Sequence, residues 1–298
     1  MSKHFLQRYK ALVLGALLLL GACSGTTIAY NRLDFLLPWY VNDYAELNAQ
    51  QETYLAELLA PFLSWHRNQE LPSYVKILAG IEDSLDRPQT AAGVAAVFAE
   101  FEAAWFRLEG EALNGLLDLG AQLSDEQIAG FLAEMSQQQK EYEEEYLQRS
   151  DEEFYEDSYE NLKDSAAEYL GALSDAQREL LREASRQLLR SDRTWLQERA
   201  QWLTQLGVLL ERKPDWQQRI KEAVVARRNT LSPEYQRTYQ HNMDVIYDVI
   251  AKLLNGRSAQ QDRHLRDRLS ALRNDLEALI SAGKEAAASQ LPSAGSLE

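Results

Sequence analysis

Four times along the chain a large apolar residue is followed by a helix-capping residue and a short polar run. The phrases are Leu47-Asn48-Ala49-Gln50-Gln51, Leu123-Ser124-Asp125-Glu126-Gln127, Leu173-Ser174-Asp175-Ala176-Gln177 and the weaker Leu231-Ser232-Pro233-Glu234-Tyr235. An Asn or Ser oxygen at an N-cap accepts from the N–H three residues on, and a Gln at that later position returns a bond to the cap N–H. Each of the first three phrases therefore starts a helix at a defined residue, with the leading Leu as a staple. In the fourth, Pro233 falls at the first helical position, where no N–H is needed. The phrases begin at 47, 123, 173 and 231. Unequal intervals of that kind exclude a fixed-period solenoid.

Only 14 Gly and 7 Pro among 298 residues leave few breakers between these starts. No window alternates apolar and polar residues long enough to argue a strand. The expected fold is all-α, an elongated bundle of about eight or nine helices. The pattern predicts them at roughly 33–44, 48–69, 72–86, 91–119, 124–171, 174–211, 214–229, 232–255 and 258–288. Thr90 and Pro72 provide further starts, and Pro61 should kink the second helix near residue 60. Two of the helices, 124–171 and 174–211, are long. The second carries the heptad row Leu181, Leu188, Trp195, Trp202 and Leu209 beside Leu189, Leu196, Leu203 and Leu210. One continuous apolar stripe suits a long packed helix better than a ligand groove. A tight corner at Leu173-Ser174 should fold the two antiparallel, residue 163 falling opposite residue 183.

Charge divides sharply. Arg and Lys number 31 and Asp and Glu 46, for a net charge of −15. Such acidity argues against nucleic acid, whose phosphates need a cationic face. Residues 141–160 contain ten carboxylates and one base, Arg149, interleaved with Tyr142, Tyr146, Tyr155 and Tyr159. A solvated helix face accounts for them. A cationic partner is the sharper reading, and a Ca²⁺ loop is not supported, since no D-x-D-x-D-G occurs. Arg178, Arg182, Arg186, Arg190 and Arg193 follow on the next helix, so the acidic stretch can be neutralised internally. Exposed pairs of that kind contribute only about 0–1 kcal/mol each.

The amino terminus sets an expectation of location. Lys3, Arg8 and Lys10 precede the ten-residue apolar run 11–20, long enough for a signal-peptide core and too short to span a bilayer. Leu20-Gly21-Ala22-Cys23 then resembles the bacterial lipobox. The resemblance implies acylation of Cys23 and removal of residues 1–22, leaving a membrane-bound protein without a spanning helix. Ser24 in place of Asp implies the outer membrane, with the body facing the periplasm. Cys23 is the sole cysteine, which excludes a disulfide, a thiolate nucleophile and a cysteine metal site. The expected organisation is a signal peptide (1–22), an acylated tether (23–29), a helical domain (30–290) and a disordered tail (291–298).

Residues 30–44, Tyr-Asn-Arg-Leu-Asp-Phe-Leu-Leu-Pro-Trp-Tyr-Val-Asn-Asp-Tyr, are dense in large apolar side chains for a segment so near the lipid. Placed directly after a lipobox, this stretch resembles the start of a family of uncharacterised lipoproteins, mostly from Gammaproteobacteria, classed as a domain of unknown function. The resemblance implies a lipoprotein and no activity. Two readings of the segment stay open. Its aromatics can plug the base of the bundle, with Asp34 or Asp43 capping a neighbouring helix. Alternatively Arg32, Leu36, Leu37, Trp39 and Tyr40 form a surface for membrane or partner docking.

No motif carries chemistry. His66, His241 and His264 lie in no H-e-x-x-H pattern, and His66 with Glu70 at i, i+4 reads as structural. There is no P-loop, no G-x-S-x-G and no dinucleotide fingerprint. A periplasmic home also removes ATP and NAD(P)H. The expectation is a non-enzymatic outer-membrane lipoprotein that presents a helical scaffold to a periplasmic protein partner. It has no cofactor, metal, small-molecule ligand or nucleic acid. Two alternatives remain, an unrecognised enzyme and a periplasmic chaperone. The Leu-Ser-x-x-Gln phrase resembles the Leu-Thr-x-x-Gln helix opening of small periplasmic stress chaperones. Long helices likewise resemble the lipase-specific foldases, whose signature motif is absent here.

Overall fold

The computed structural model describes Thr27 and residues 30–289, with side chains through Lys284. The signal segment, Leu20, Gly21, Ala22, Cys23 and the 291–298 tail lie outside the described residues. Every regular element among those described is helical. In order they are α1 (Leu33–Ala45), α2 (Ala49–Trp65), a π-helical turn (His66–Glu70), α3 (Leu71–Ser84), α4 (Ala91–Gln122) and α5 (Asp125–Gln148). They continue as α6 (Asp151–Leu170), α7 (Asp175–Gln187), α8 (Asp192–Leu209), α9 (Trp216–Arg227), α10 (Pro233–Asn255) and α11 (Ala259–Ser289). The all-α bundle follows the helical patterning of the sequence.

The predicted starts are real. Asn48, Ser124 and Ser174 each form a reciprocal capping box with Gln51, Gln127 and Gln177. Ser232 caps the Tyr235 N–H. A further box, Ser258 with Gln261, opens α11. The glutamines then do something no local pattern announces. Gln51 and Gln127 donate to each other's amide oxygens at 2.9 and 2.8 Å. Gln177 and Gln261 repeat this at 3.1 and 2.9 Å. Spare N–H groups reach the chain just ahead of the partner's cap: Gln51 donates to the Gln122 carbonyl, Gln127 to those of Ala45 and Glu46, and Gln261 to that of Ala172. Two pairs of helix starts are thereby clasped, α2 with α5 and α7 with α11.

Several expectations need correction. The 124–171 span is two helices, α5 and α6, because Ser150 leaves the helical conformation and forms its own capping box with Glu153. The 174–211 span is likewise broken at residues 188–191 into α7 and α8. The longest single helices are instead α4, with 32 residues, and α11, with 31. The antiparallel arrangement of the two arms persists, with α6 against α7 and α5 against α8. Their register is shifted from the expected one, since Arg182 faces Tyr159. Gly171, at φ +71°, ends α6 at Leu170 and moves the corner back from residue 173. Finally, the break expected between 69 and 72 does not occur: a π turn at 66–70 leads directly into α3, whose second residue is Pro72. Proline supplies no N–H and crowds the carbonyl four residues back. A π turn, wider than the α-helix, directly precedes it.

The interior is divided. The main cluster gathers Leu71, Tyr74, Leu78, Leu181, Val249, Leu265, Leu276 and Leu279 from α3, α7, α10 and α11, with Tyr159 and Leu170 of α6. Smaller clusters join α1, α2 and α4 around Leu55, α4, α8 and α9 around Leu209, and α5 with α8 around Leu196. Ion pairs run from the basic carboxyl-terminal half to the acidic amino-terminal half: Arg190–Asp151, Arg212–Asp125, Arg228–Glu109, Arg266–Asp86, Arg268–Glu168 and Arg273–Glu82. Part of the charge division is thus paired within the fold, and the chain remains acidic overall.

Candidate functional site

α1 carries apolar residues on every side, and its packing uses only part of them. Leu33 packs on the main core, and Val41 and Ala45 join the cluster with α2 and α4. Tyr44 accepts a hydrogen bond from the Gln138 amide of α5 at 3.2 Å. Asn42 ends the helix twice over: its carbonyl accepts from the Glu46 N–H and its side chain from the Leu47 N–H. The opposite side faces outward. Phe35 is 68% exposed, Trp39 63%, Tyr40 51% and Leu36 40%. Arg32, just ahead of the helix, is exposed as well. Spacings of three and four residues place Arg32, Phe35, Leu36, Trp39 and Tyr40 along one side. Leu37, assigned by sequence to the same surface, is half-buried instead.

The plug reading of this segment fails at these residues. Trp39 fills no space in the bundle, and Asp34 accepts from the N–H of the next residue, Phe35, at 3.0 Å, rather than capping a neighbouring helix. The segment does contribute one plug, at Tyr30. That residue is 2% exposed. Its hydroxyl lies 2.9 Å from His66 Nδ1, and the Arg67 guanidinium stands 5.1 Å over its ring while donating to Asn31 Oδ1 at 3.0 Å. Gly283 of α11 leaves the room that the Arg67 side chain occupies; a Cβ there would collide with it.

Tyr30 closes onto the π turn, the most polar part of the core. His66 is enclosed, with the Tyr74 hydroxyl 3.4 Å from Nε2. Burial pulls its imidazole down to about 4, and Glu70 opposes that shift without reversing it. His66 is therefore neutral at pH 7. Burial pushes both phenols, Tyr30 and Tyr74, above the ordinary tyrosine value, so they stay protonated. Glu70 is buried and both its oxygens are held by Arg107, at 2.7 and 2.9 Å. Two phenols, a neutral imidazole and a locked carboxylate make a rivet between the tether end, α3 and α4. Sequence spacing flags His66 and Glu70 but gives no sign of Tyr30 or Arg107, which come from 36 and 37 residues away.

Other charged clusters are paired in place. Among the described residues no group of three His, Asp or Glu side chains is arranged to hold a metal. A shallow cleft between α3 and α11 is lined by Glu82, Asp86, Arg266 and Arg273, which already form Arg266–Asp86 and Arg273–Glu82 pairs. No described helix is long and apolar enough to cross a membrane.

A family model described as a family of unknown function (DUF6279) matches residues 43–236. It covers the bundle from the end of α1 into α10 and leaves the 30–42 segment outside. No curated protein matches the chain. No solved structure matches it.

Proposed function

Because the chain belongs to DUF6279, a family of unknown function, we propose a role from its own residues: a non-enzymatic lipoprotein that displays a helical scaffold to the periplasm from the outer membrane. The observation that carries the reading is Leu20-Gly21-Ala22-Cys23 behind a cationic, apolar leader. What supports it in the fold is the junction that follows. Tyr30, seven residues after Cys23, is buried and bonded to His66. An acylated Cys23 would thus hold the body at a short, defined distance from the lipid. The scaffold role rests on the same frame. His66 and Glu70 are consumed by Tyr30, Tyr74 and Arg107, which makes them structural groups rather than an acid–base pair. The Leu-Ser-x-x-Gln phrase is accounted for by the glutamine clasps and needs no chaperone function.

Fractionation tests the anchor. Full-length wild type should sediment with membranes, in the outer fraction, and Cys23→Ser should accumulate as uncleaved or unanchored precursor. Identical processing and fractionation of the two proteins overturns the lipoprotein reading. Suppression of client aggregation by the purified protein would replace the scaffold role by the chaperone one.

A further inference from the structure

We propose that the outward side of α1 lies on the lipid surface that holds the anchor, with Phe35, Leu36, Trp39 and Tyr40 at headgroup level. The proposal rests on the anchoring of Cys23 and adds a second, orienting contact to it. Three observations converge on this side of the molecule. The first is reach: the six residues between Cys23 and Tyr30 extend to about 20 Å at most. Asn31 already bonds back to the Thr27 carbonyl at 3.1 Å, which shortens the link. The second is fixity. Tyr30 is riveted to His66 and Arg67, so α1 begins three residues later in a set orientation and cannot swing away on a loose leash.

The third is chemistry. Among the described residues, the large apolar side chains left exposed are Phe35, Leu36, Trp39 and Tyr40 within six positions, against Phe98, Leu116, Leu147, Leu189, Val208, Val225 and Tyr239 scattered over the other helices and loops. Trp and Tyr have apolar bodies and polar tips, which suits the interface between acyl chains and water. Tyr40 keeps its hydroxyl satisfied by Tyr44 at 3.3 Å. Arg32 extends the same side at the end nearer the anchor, where a guanidinium can meet lipid phosphate. Asp43, one helical turn beyond Trp39 and Tyr40, is exposed at the far end. The helix thus tilts its amino-terminal half toward the lipid. The chain is acidic, and removal of residues 1–22 takes away three bases and no acid, so the body is repelled by anionic lipid and the contact depends on apolar area.

The test uses the acylated full chain in phosphatidylcholine vesicles. Flotation first establishes that the protein is anchored. A polarity-sensitive fluorophore is then attached at Phe35→Cys or Tyr40→Cys, with Asp244→Cys on α10 as the reference. Emission at 35 and 40 should shift to shorter wavelength and be quenched by a nitroxide placed near the lipid headgroups, while position 244 shows neither change. Adding phosphatidylglycerol should not strengthen the quenching. Floating protein with unshifted, unquenched emission at both positions overturns the proposal and leaves the anchor standing. Protein that fails to float overturns the anchor and the proposal with it. Should either cysteine variant fold poorly, the native Trp39 can be read by difference between wild type and Trp39→Phe with the same quencher.

Discussion

Arg149 and Asp192 close the interruptions of two antiparallel arms against each other, through parallel N–H···O contacts of 3.1 and 2.7 Å. Both side chains are about nine-tenths buried. Arg149 also donates to Asp157 at 3.1 Å and lies between the rings of Tyr146 and Phe154. Arg190 reaches back across the same break to Asp151 at 2.7 Å and to Asp192 at 3.2 Å. Of the acidic stretch only Asp151 and Asp157 enter this joint; most of its other carboxylates form the solvated face that the sequence suggests.

Removing Arg149 leaves the Asp192 carboxylate buried with only Arg190 beside it. Uncompensated buried charges are costly, so Arg149→Ala should lower the unfolding free energy by about 3 kcal/mol. Urea denaturation followed by circular dichroism measures it. An unchanged midpoint would show that the joint carries no weight.

Trp39 separates an outward face from a core plug. At 63% exposure, Trp39→Ala should change stability by less than about 0.5 kcal/mol. Leu276→Ala, by contrast, removes a side chain that is 1% exposed and should cost about 2–5 kcal/mol. A loss of several kcal/mol at Trp39 would end the docking proposal for that residue.

The glutamine clasps predict a difference between two chemically similar boxes. Gln261→Glu keeps the acceptor for the Ser258 N–H but removes the donor to Gln177 and to the Ala172 carbonyl. The Gln177 oxygen then keeps only the Ser174 N–H, and losing the two bonds should cost about 1–3 kcal/mol. Glu153→Gln, at the unclasped box of α6, should stay within about 0.5 kcal/mol of wild type. Equal effects at the two positions would contradict the clasp.

His66 makes stability depend on pH. Its pKa falls from the ordinary 6.5 to about 4 on folding, through burial among Tyr30, Tyr74, Arg67 and Glu70. Between these values the unfolded chain binds the extra proton. The stabilisation is therefore complete above pH 6.5 and declines as the pH drops toward 4, by about 3 kcal/mol in all. Replacement by Gln should flatten that part of the profile. A wild-type curve level from pH 6.5 to 4 would falsify the assignment.

Most helix starts were legible because a capping box is local: Asn48, Ser124, Ser174 and Ser232 announce themselves within four residues. Ser258, behind Arg257, opens the helix that the pattern places at 258–288. Ser150 uses the same device behind Arg149 rather than a leucine staple, and it is hidden within a run of carboxylates. The break at 188–191 was concealed by a heptad row that continues across it in sequence, although Leu189 is exposed where the row would bury it. The π turn at 66–70 has one local sign, Pro72 directly after it. Two of the partners that enclose it, Tyr30 and Arg107, come from other segments. The α1 surface was visible as composition only; which of its residues face outward required knowing where α2 and α5 lie.

The paired glutamines also bear on how the chain finds its register. Each cap forms within a few residues of sequence, but Gln51 and Gln127 are 76 positions apart, and Gln177 and Gln261 are 84 apart. A helix that began one residue early would carry its amide about 100° around the axis and present it to nothing. Closing a clasp thus demands that two distant helices have both begun at the correct residue. Loop closure over such spans is only weakly dependent on length, so each clasp ties together two local starts that are set far apart in the chain and closes only when both are in register.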